Sequence, residues 1–316
     1  MKYFITGGAG FLGASLVKKL VSEKRNVTVF DNCSRGNLKR LEDIQHKIKF
    51  IDGDIRSEEK VIQASAGHNV FIHLAAINGT ELFYKKPQEV LDVSVRGILN
   101  SIEASKKNNI KFFILASSSE VYQTPKTIPT REDVELIIPD IFNPRYSYGG
   151  GKIISELICL NYYKDFFEKM IIFRPHNVYG PDMGWEHVIP QIINNIKESK
   201  KSNKGYFRIK GNGKQKRAFI FIDDFTEALT TLMFKGMHRN IYHIGNSEEI
   251  TIIELVKEIL KIMQLDLKIQ TMENPKGETT RRCPETSKIT ELGYKKRTEL
   301  KDGLIKVVNW YLKNEK

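Results

Sequence analysis

The opening stretch of the chain restricts its fold more than any other. Lys2 to Thr6 reads as a short buried strand that runs directly into Gly7-Gly8-Ala9-Gly10-Phe11-Leu12-Gly13. A helical pattern follows, with Leu12, Leu16, Leu20 and Val21 on one face. A second apolar strand, Asn26 to Phe30, ends in Asp31, eighteen residues after Gly13. Strand, glycine turn, helix and acid-tipped strand outline a nucleotide-binding βαβ unit. Glycines permit the tight turn, let the backbone approach a pyrophosphate, and let the helix pack on the strand, while the helix N-terminus offers free N–H groups to the anion. Gly7, Gly10, Phe11, Leu12 and Gly13 are thus candidate cofactor contacts, and Asp31 accepts from ribose hydroxyls. An acid at this place also repels a 2′-phosphate, which favours NAD, while Arg35 nearby keeps NADP as an alternative.

Further strands are expected at Ile48–Ile51, Val70–Leu74, Lys111–Ala116 and Met170–Phe173, each separated from the next by helix or loop. Such alternation implies an α/β fold with a Rossmann-type, doubly wound, mostly parallel sheet. Two helices connect these strands, at about 87–107 and 146–167. The second is apolar on more than one face through Ile153, Ile154, Leu157, Ile158 and Leu160, so one side faces the sheet and the other is expected to meet a second subunit. After Arg174-Pro175 the pattern changes. Gly and Pro punctuate 179–190, and shorter strands are expected at Tyr206–Lys210, Ala218–Ile222 and Ile241–Ile244, with helical stripes at 252–263 and 300–311. Residues 1–175, with parts of 215–250 returning to them, form the expected NAD-binding domain. Residues 176–316 form a smaller α/β C-terminal lobe for the substrate.

With 316 residues and 41% hydrophobic content, the chain can bury a substantial core. No apolar run reaches the roughly eighteen residues of a membrane span, and the chain enters its first strand without a charged leader, so a cytoplasmic protein is expected. Cys33, Cys159 and Cys283 are widely spaced and form no C-x-x-C pattern, so neither a disulfide framework nor a thiolate metal site is indicated. The net charge of +12 suits acidic partners. The densest basic segments, 197–204 and 295–297, lack interleaved aromatics of the kind that stack on bases, which argues for solvated surface over nucleic-acid binding.

Chemistry is expected at Tyr148 and Lys152, a phenol and an ammonium four residues apart on one helical face. A neighbouring cation favours the phenolate and so suits a general base. The strand Lys111–Ala116 ends in Ser117-Ser118-Ser119-Glu120-Val121-Tyr122, and strand C-termini form the ligand crevice of a parallel sheet, so a hydroxyl joins the pair.

With these residues, the chain resembles an extended short-chain dehydrogenase/reductase of the nucleotide-sugar epimerase and dehydratase group. The matching residues run from Thr6–Gly13 through Asp31, Gly53-Asp54-Ile55-Arg56, His73-Leu74-Ala75-Ala76, S-S-S-E-V-Y and Y-x-x-x-K. They continue through Arg174-Pro175-His176-Asn177-Val178-Tyr179-Gly180-Pro181 to Arg281-Arg282-Cys283-Pro284-Glu285. The resemblance implies that Asp54 and Ile55 hold the adenine, that Leu74, Ala75 and Ala76 line the cofactor, and that Asn32, Ser34 and Pro175 complete its site. It implies that Ser118 bonds the sugar hydroxyl being oxidised and Tyr148 takes its proton, with Lys152 fixing the ribose and lowering the phenol's pKa. Asn177, Arg217 and Arg282, with Arg281 as the near alternative, would grip a nucleotide diphosphate, as guanidinium forks suit phosphate oxygens.

The implied reaction starts by oxidising the sugar at C4. The 4-keto species can then be reduced from the other face, lose water, lose a C6 carboxylate or be released. Epimerisation at C4 is the leading expectation, with net dehydrogenation, 4,6-dehydration and decarboxylation as alternatives. Ser119 and Glu120 bear on the choice, because relatives that dehydrate thymidine-diphosphate sugars carry an Asp-Glu pair there. Trp185, Glu186, His187 and Val188 occupy a substrate-facing loop, and His176 is expected to pack beneath the site. A non-catalytic nucleotide- or RNA-binding protein is the alternative of another class, and the presence of Ser118, Tyr148 and Lys152 together argues against it.

Overall fold

A computed structural model describes residues 1–209, 211–273 and 279–314. Its centre is β1 (Lys2–Thr6), which leads into α1 (Phe11–Ser22) and β2 (Asn26–Asp31). The chain continues through β3 (Lys49–Asp52), α2 (Glu58–Ser65), β4 (Val70–His73), α3 (Thr80–Lys85), α4 (Pro87–Lys107) and β5 (Phe112–Ala116). A short 3-10 turn at Pro144–Tyr146 precedes α5 (Ser147–Asn161) and β6 (Lys169–Pro175). Next come β7 (Val178–Tyr179), α6 (Val188–Lys201), β8 (Tyr206–Ile209), β9 (Lys216–Ala218), β10 (Ile220–Phe221), α7 (Ile222–Lys235) and β11 (Asn240–Ile244). The chain ends with β12 (Glu249–Thr251), α8 (Ile252–Met263), β13 (Lys268–Thr271), β14 (Arg281–Arg282), α9 (Ser287–Glu291) and α10 (Leu300–Lys313).

Seven strands form one sheet in the order β11-β6-β5-β4-β1-β2-β3, every pair parallel. Because β1 pairs with β2 on one side and β4 on the other, the winding reverses there, which opens a crevice at the strand C-termini. Successive side chains of a strand point to opposite faces. Ile5, Val29, Ile72 and Phe173 therefore enter one core layer, with α1, α7, α8 and α10, while Phe4, Phe30, Phe71 and Ile172 enter the other, under α2, α4 and α5.

The expected strand Ile241–Ile244 is the edge strand of the main sheet, to which parts of 215–250 return. The expected strand Ala218–Ile222 is instead two short strands, with Ile222 opening α7. The expected strand Tyr206–Lys210 is observed to Ile209, and Lys210 lies outside the described residues. The C-terminal lobe is a patchwork of a two-stranded β10-β7 pair, a three-stranded β12-β9-β14 sheet and a β13-β8 pair. The helix expected over 146–167 ends at Asn161, because Tyr162 N–H closes on Ile158 O and Tyr163 turns to a φ of 48°.

Helices α4 and α5 pack side by side. A Cβ on Gly151 would lie 2.7 Å from that of Ser94, so small residues on both helices allow the approach. Their outer faces expose Leu91, Ile154, Leu157 and Tyr162. Among the described residues no helix is long and apolar enough to cross a membrane.

Candidate active site

The crevice begins at the glycine turn. A Cβ on Gly13 would lie 2.2 Å from Gly7 O and 2.7 Å from Gly8 Cα, so only glycine lets α1 close on the turn. The N-terminus of α1, at Gly10, has no side-chain cap, leaving amide donors for an anion. Beside it, Asp31 is buried, and its two carboxylate oxygens accept from Ala9 N–H and Cys33 N–H, each at 2.9 Å. Burial pushes the Asp31 carboxyl up, against the pull of those two hydrogen bonds. Asn32, Ser34, Asp54, Ile55, Leu74, Ala75 and Ala76 line the same groove. Asp54 is fixed by Arg56, whose Nε and Nη2 donate at 3.0 and 2.6 Å, and that pair holds its carboxyl below the usual range. An uncapped helix end, a buried acid and an apolar wall are the features a dinucleotide requires. Arg35 forms an ion pair with Glu186 instead of standing free for a 2′-phosphate.

The groove continues into a cavity of about 330 Å³ lined by Ser118, Ser119, Glu120, Tyr148, Lys152, Pro175, Asn177, His187 and Arg282, together with Gly7, Gly10, Phe11, Leu12 and Gly13. Ser118 ends β5's extension, and its Oγ accepts from Glu120 N–H at 3.1 Å as the cap of a 3-10 turn, Ser119–Tyr122. Tyr148, in the first turn of α5, lines the cavity beside Ser118 and stacks on Phe83 with ring centroids 4.9 Å apart. Lys152 Nζ donates to Ala116 O at 2.7 Å and lies 5.8 Å from the Tyr148 ring centroid. Burial pulls this ammonium down to about 8, with Glu156 opposing. The phenol moves opposite to expectation. Burial raises its pKa, the Ser118 hydroxyl lowers it and Glu120 raises it further, while Lys152 spends a donor on a carbonyl.

Glu120 is an ion. Burial pushes its pKa up, but Arg282, whose Nη1 meets Oε1 at 2.8 Å, together with Arg145 and Arg217, brings it below the usual carboxylate range. Arg217 and Arg282 are register partners on β9 and β14, and of the two Arg282 lines the cavity. Behind the site runs a second, wholly buried network. Glu156, one turn past Lys152, accepts from Arg174 Nε at 2.8 Å, from Arg174 Nη2 at 2.6 Å and from Ser117 Oγ. Arg174 also donates to Glu132 O at 2.8 Å and to Tyr122 Oη, which bonds His243 Nε2 at 2.6 Å. His176 is buried with its ring 4.6 Å from that of His243, beneath the site, as expected of it.

Several expected substrate residues lie elsewhere. Arg281 points away from the cavity and is held by Glu249, 2.5 Å from its Nη2, because neighbouring strand residues face opposite sides. Trp185 turns into the protein, edge-on to Tyr311 at 4.7 Å, and Val188 packs against the core at the start of α6. Arg217 reaches Thr279 O at 2.6 Å and acts on the site through its charge on Glu120. Sequence reasoning missed Phe83, Thr80 and Arg40 in the cavity wall, and Arg145 beside Glu120. The strand-end position of the 75–83 segment, after β4, was the available signal.

A parallel seven-stranded sheet with a dinucleotide cradle at its switch point, opening onto Ser118, Tyr148 and Lys152, defines an oxidoreductase-type enzyme of the extended short-chain dehydrogenase/reductase class. Residues 3–245 match the NAD dependent epimerase/dehydratase family, and the chain belongs to it. It is an enzyme of NAD-dependent nucleotide-sugar modification. It is 30% identical over 317 residues to a UDP-N-acetyl-alpha-D-glucosaminuronate decarboxylase from Bacillus cytotoxicus, covering 97% of this chain and 96% of that one. The fold is similar to that of a dTDP-glucose 4,6-dehydratase from Streptomyces venezuelae with NAD and TYD bound, with a TM-score of 0.89 and 25% identity over 99% of this chain and 98% of that one. It is also similar to a UDP-glucose 4-epimerase with UDP-glucose from Thermotoga maritima, with a TM-score of 0.87 and 27% identity over 99% of each chain.

Proposed function

We propose that the enzyme oxidises the C4 hydroxyl of a nucleoside-diphosphate sugar and takes the 4-keto species through a second proton transfer at Glu120, as a 4,6-dehydratase. The observation that carries this reading is Glu120, paired with Arg282 and set in the same cavity wall as Ser118, Tyr148 and Lys152. Ser118 holds the C4 hydroxyl, Tyr148 takes its proton, and Lys152 holds the ribose. Bound NAD supplies the hydride acceptor at the start and the donor at the end. A ketone at C4 acidifies the C5 hydrogen, and Glu120 can accept that proton as a carboxylate, its ion pair with Arg282 making it a weaker base than a free one until substrate phosphate draws the guanidinium away. Exchange of configuration at C4 alone has no need of that second base.

A second reading, 4-epimerisation, is supported by Ser119. A hydroxyl is a poor acid for a departing C6 hydroxide, and Ser119 stands where relatives that dehydrate thymidine-diphosphate sugars carry an aspartic acid, although a Ser-Glu pair also resembles guanosine-diphosphate-mannose dehydratases and glucuronate decarboxylases. The test is to incubate the protein with thymidine-, uridine- and guanosine-diphosphate sugars in deuterium oxide and follow products by mass and NMR. A dehydratase product loses water and carries deuterium at C5. An epimer of unchanged mass without deuterium at C5 sinks the first reading, and loss of CO2 from a uronate replaces both with decarboxylation.

On the same reading, residues 1–175 with parts of 215–250 hold NAD, and 176–316 mainly hold the nucleotide sugar through Asn177, His187 and Arg282, with Arg217 contributing its charge from behind the wall. We propose a homodimer through the exposed apolar faces of α4 and α5. A monomer in sedimentation at micromolar concentration refutes it.

A further inference from the structure

The short helix α3 has no evident reason to be where it is. It is six residues long, is entered through Gly79 at a φ of 133°, and is cut off by the start of α4 at Pro87. Phe83 is its one buried residue, 4% exposed, while its neighbour Tyr84 stays 46% exposed. Its Glu81 and Lys85 pair with each other at the surface, so α3 brings no charge to the cavity through them. The single anchor is spent on Tyr148: the two rings are parallel to within 9° at 4.9 Å, and Phe83 itself lines the cavity. The same helix packs on the 3-10 turn Pro144–Tyr146 that delivers Tyr148 to the mouth of α5.

We infer that Phe83 is a positioning residue for Tyr148: its ring forms a parallel wall that fixes the phenol toward Ser118 and excludes water from the ring face. The inference rests on the reading of Tyr148 as the base. The groups that face the phenol are Ser118, which lowers it, Glu120, whose charge raises it, and Lys152, 5.8 Å from the ring centroid. Among the described residues Phe83 is the aromatic ring that stacks on it. A phenol free to rotate loses the near-attack geometry with the sugar hydroxyl, and small misplacements of this kind cost about a hundredfold in rate. A wetted phenol also titrates nearer its ordinary value of about 10.

The test compares wild type, Phe83→Ala, Phe83→Leu and Phe83→Tyr in two measurements. In the first, protein carrying ring-13C tyrosine is titrated by NMR, with the Tyr148 signal assigned by its loss in Tyr148→Phe. Expected is a Tyr148 midpoint that falls toward the ordinary range in Phe83→Ala and Phe83→Leu and stays high in Phe83→Tyr. In the second, the first hydride transfer is followed by NADH absorbance with the nucleotide sugar that wild type uses. Expected is a slowing of about tenfold to a hundredfold in Phe83→Ala and Phe83→Leu, restored by Phe83→Tyr. A structural role alone lowers the folded fraction without moving the Tyr148 midpoint. An unchanged midpoint in both Phe83→Ala and Phe83→Leu overturns the inference. Wild type that transfers no hydride from any nucleotide sugar overturns the functional reading instead, and the NMR titration still decides the role of Phe83.

Discussion

Removing Glu156 leaves Arg174 buried without its counter-ion. Arg174 is 2% exposed and Glu156 3%, and their paired oxygens and nitrogens meet at 2.6 and 2.8 Å. Breaking such a pair by deleting one partner costs about 3–5 kcal/mol, because the remaining charge keeps its desolvation penalty without compensation. Against a total stability of about 5–15 kcal/mol, that is a large fraction. At roughly 2 °C per kcal/mol for a chain of this size, Glu156→Leu should melt about 6–10 °C below wild type. Arg174→Met should cost a similar amount. The double variant should recover, since two apolar residues of like volume replace the pair with little or no penalty. Thermal melts by circular dichroism and urea titrations of all four proteins give the cycle. The expected coupling is at least about 2 kcal/mol, the double variant being much less damaged than the sum of the singles. Additivity within about 0.5 kcal/mol would show that the ion pair is not what holds this part of the core, and the reasoning would fail.

Gly13→Ala forces a Cβ to within 2.2 Å of Gly7 O, whereas a Cβ on Gly10 meets nothing closer than 3.2 Å; calorimetric titration should therefore find NAD binding lost in Gly13→Ala and only weakened in Gly10→Ala. Lys152 titrates near 8 in the folded chain against 10.5 when unfolded, so the unfolded chain binds the extra proton between those values and stability rises with pH across that window. Wild type should gain about 3 kcal/mol between pH 8 and 10.5 that Lys152→Met does not, read as the difference between their urea stabilities. Tyr148→Phe should keep NAD bound by the same titration while turnover falls by roughly two orders of magnitude or more, as loss of a general base requires.

The glycine turn, the acid-tipped second strand and the alternation of strands and helices are local properties, and so the sequence alone carried the parallel sheet, the dinucleotide cradle and the Ser118, Tyr148 and Lys152 set. Short-range chemistry dictates each of them: a Cβ clash at Gly13, a carboxylate at the strand end at Asp31, a four-residue helical spacing. Other features come from distant segments that meet only in the fold. Phe83 and Tyr148 lie in α3 and α5, and the arginines around Glu120 come from β9, β14 and the turn before α5. The choice of Arg282 over Arg281 is one of strand facing, which no spacing rule reveals for a two-residue strand. The direction of the phenol's shift was likewise a tertiary matter. Sequence places a cation four residues away, but only packing decides that burial raises the phenol, because desolvation depends on everything that surrounds a group and not on its neighbours along the chain.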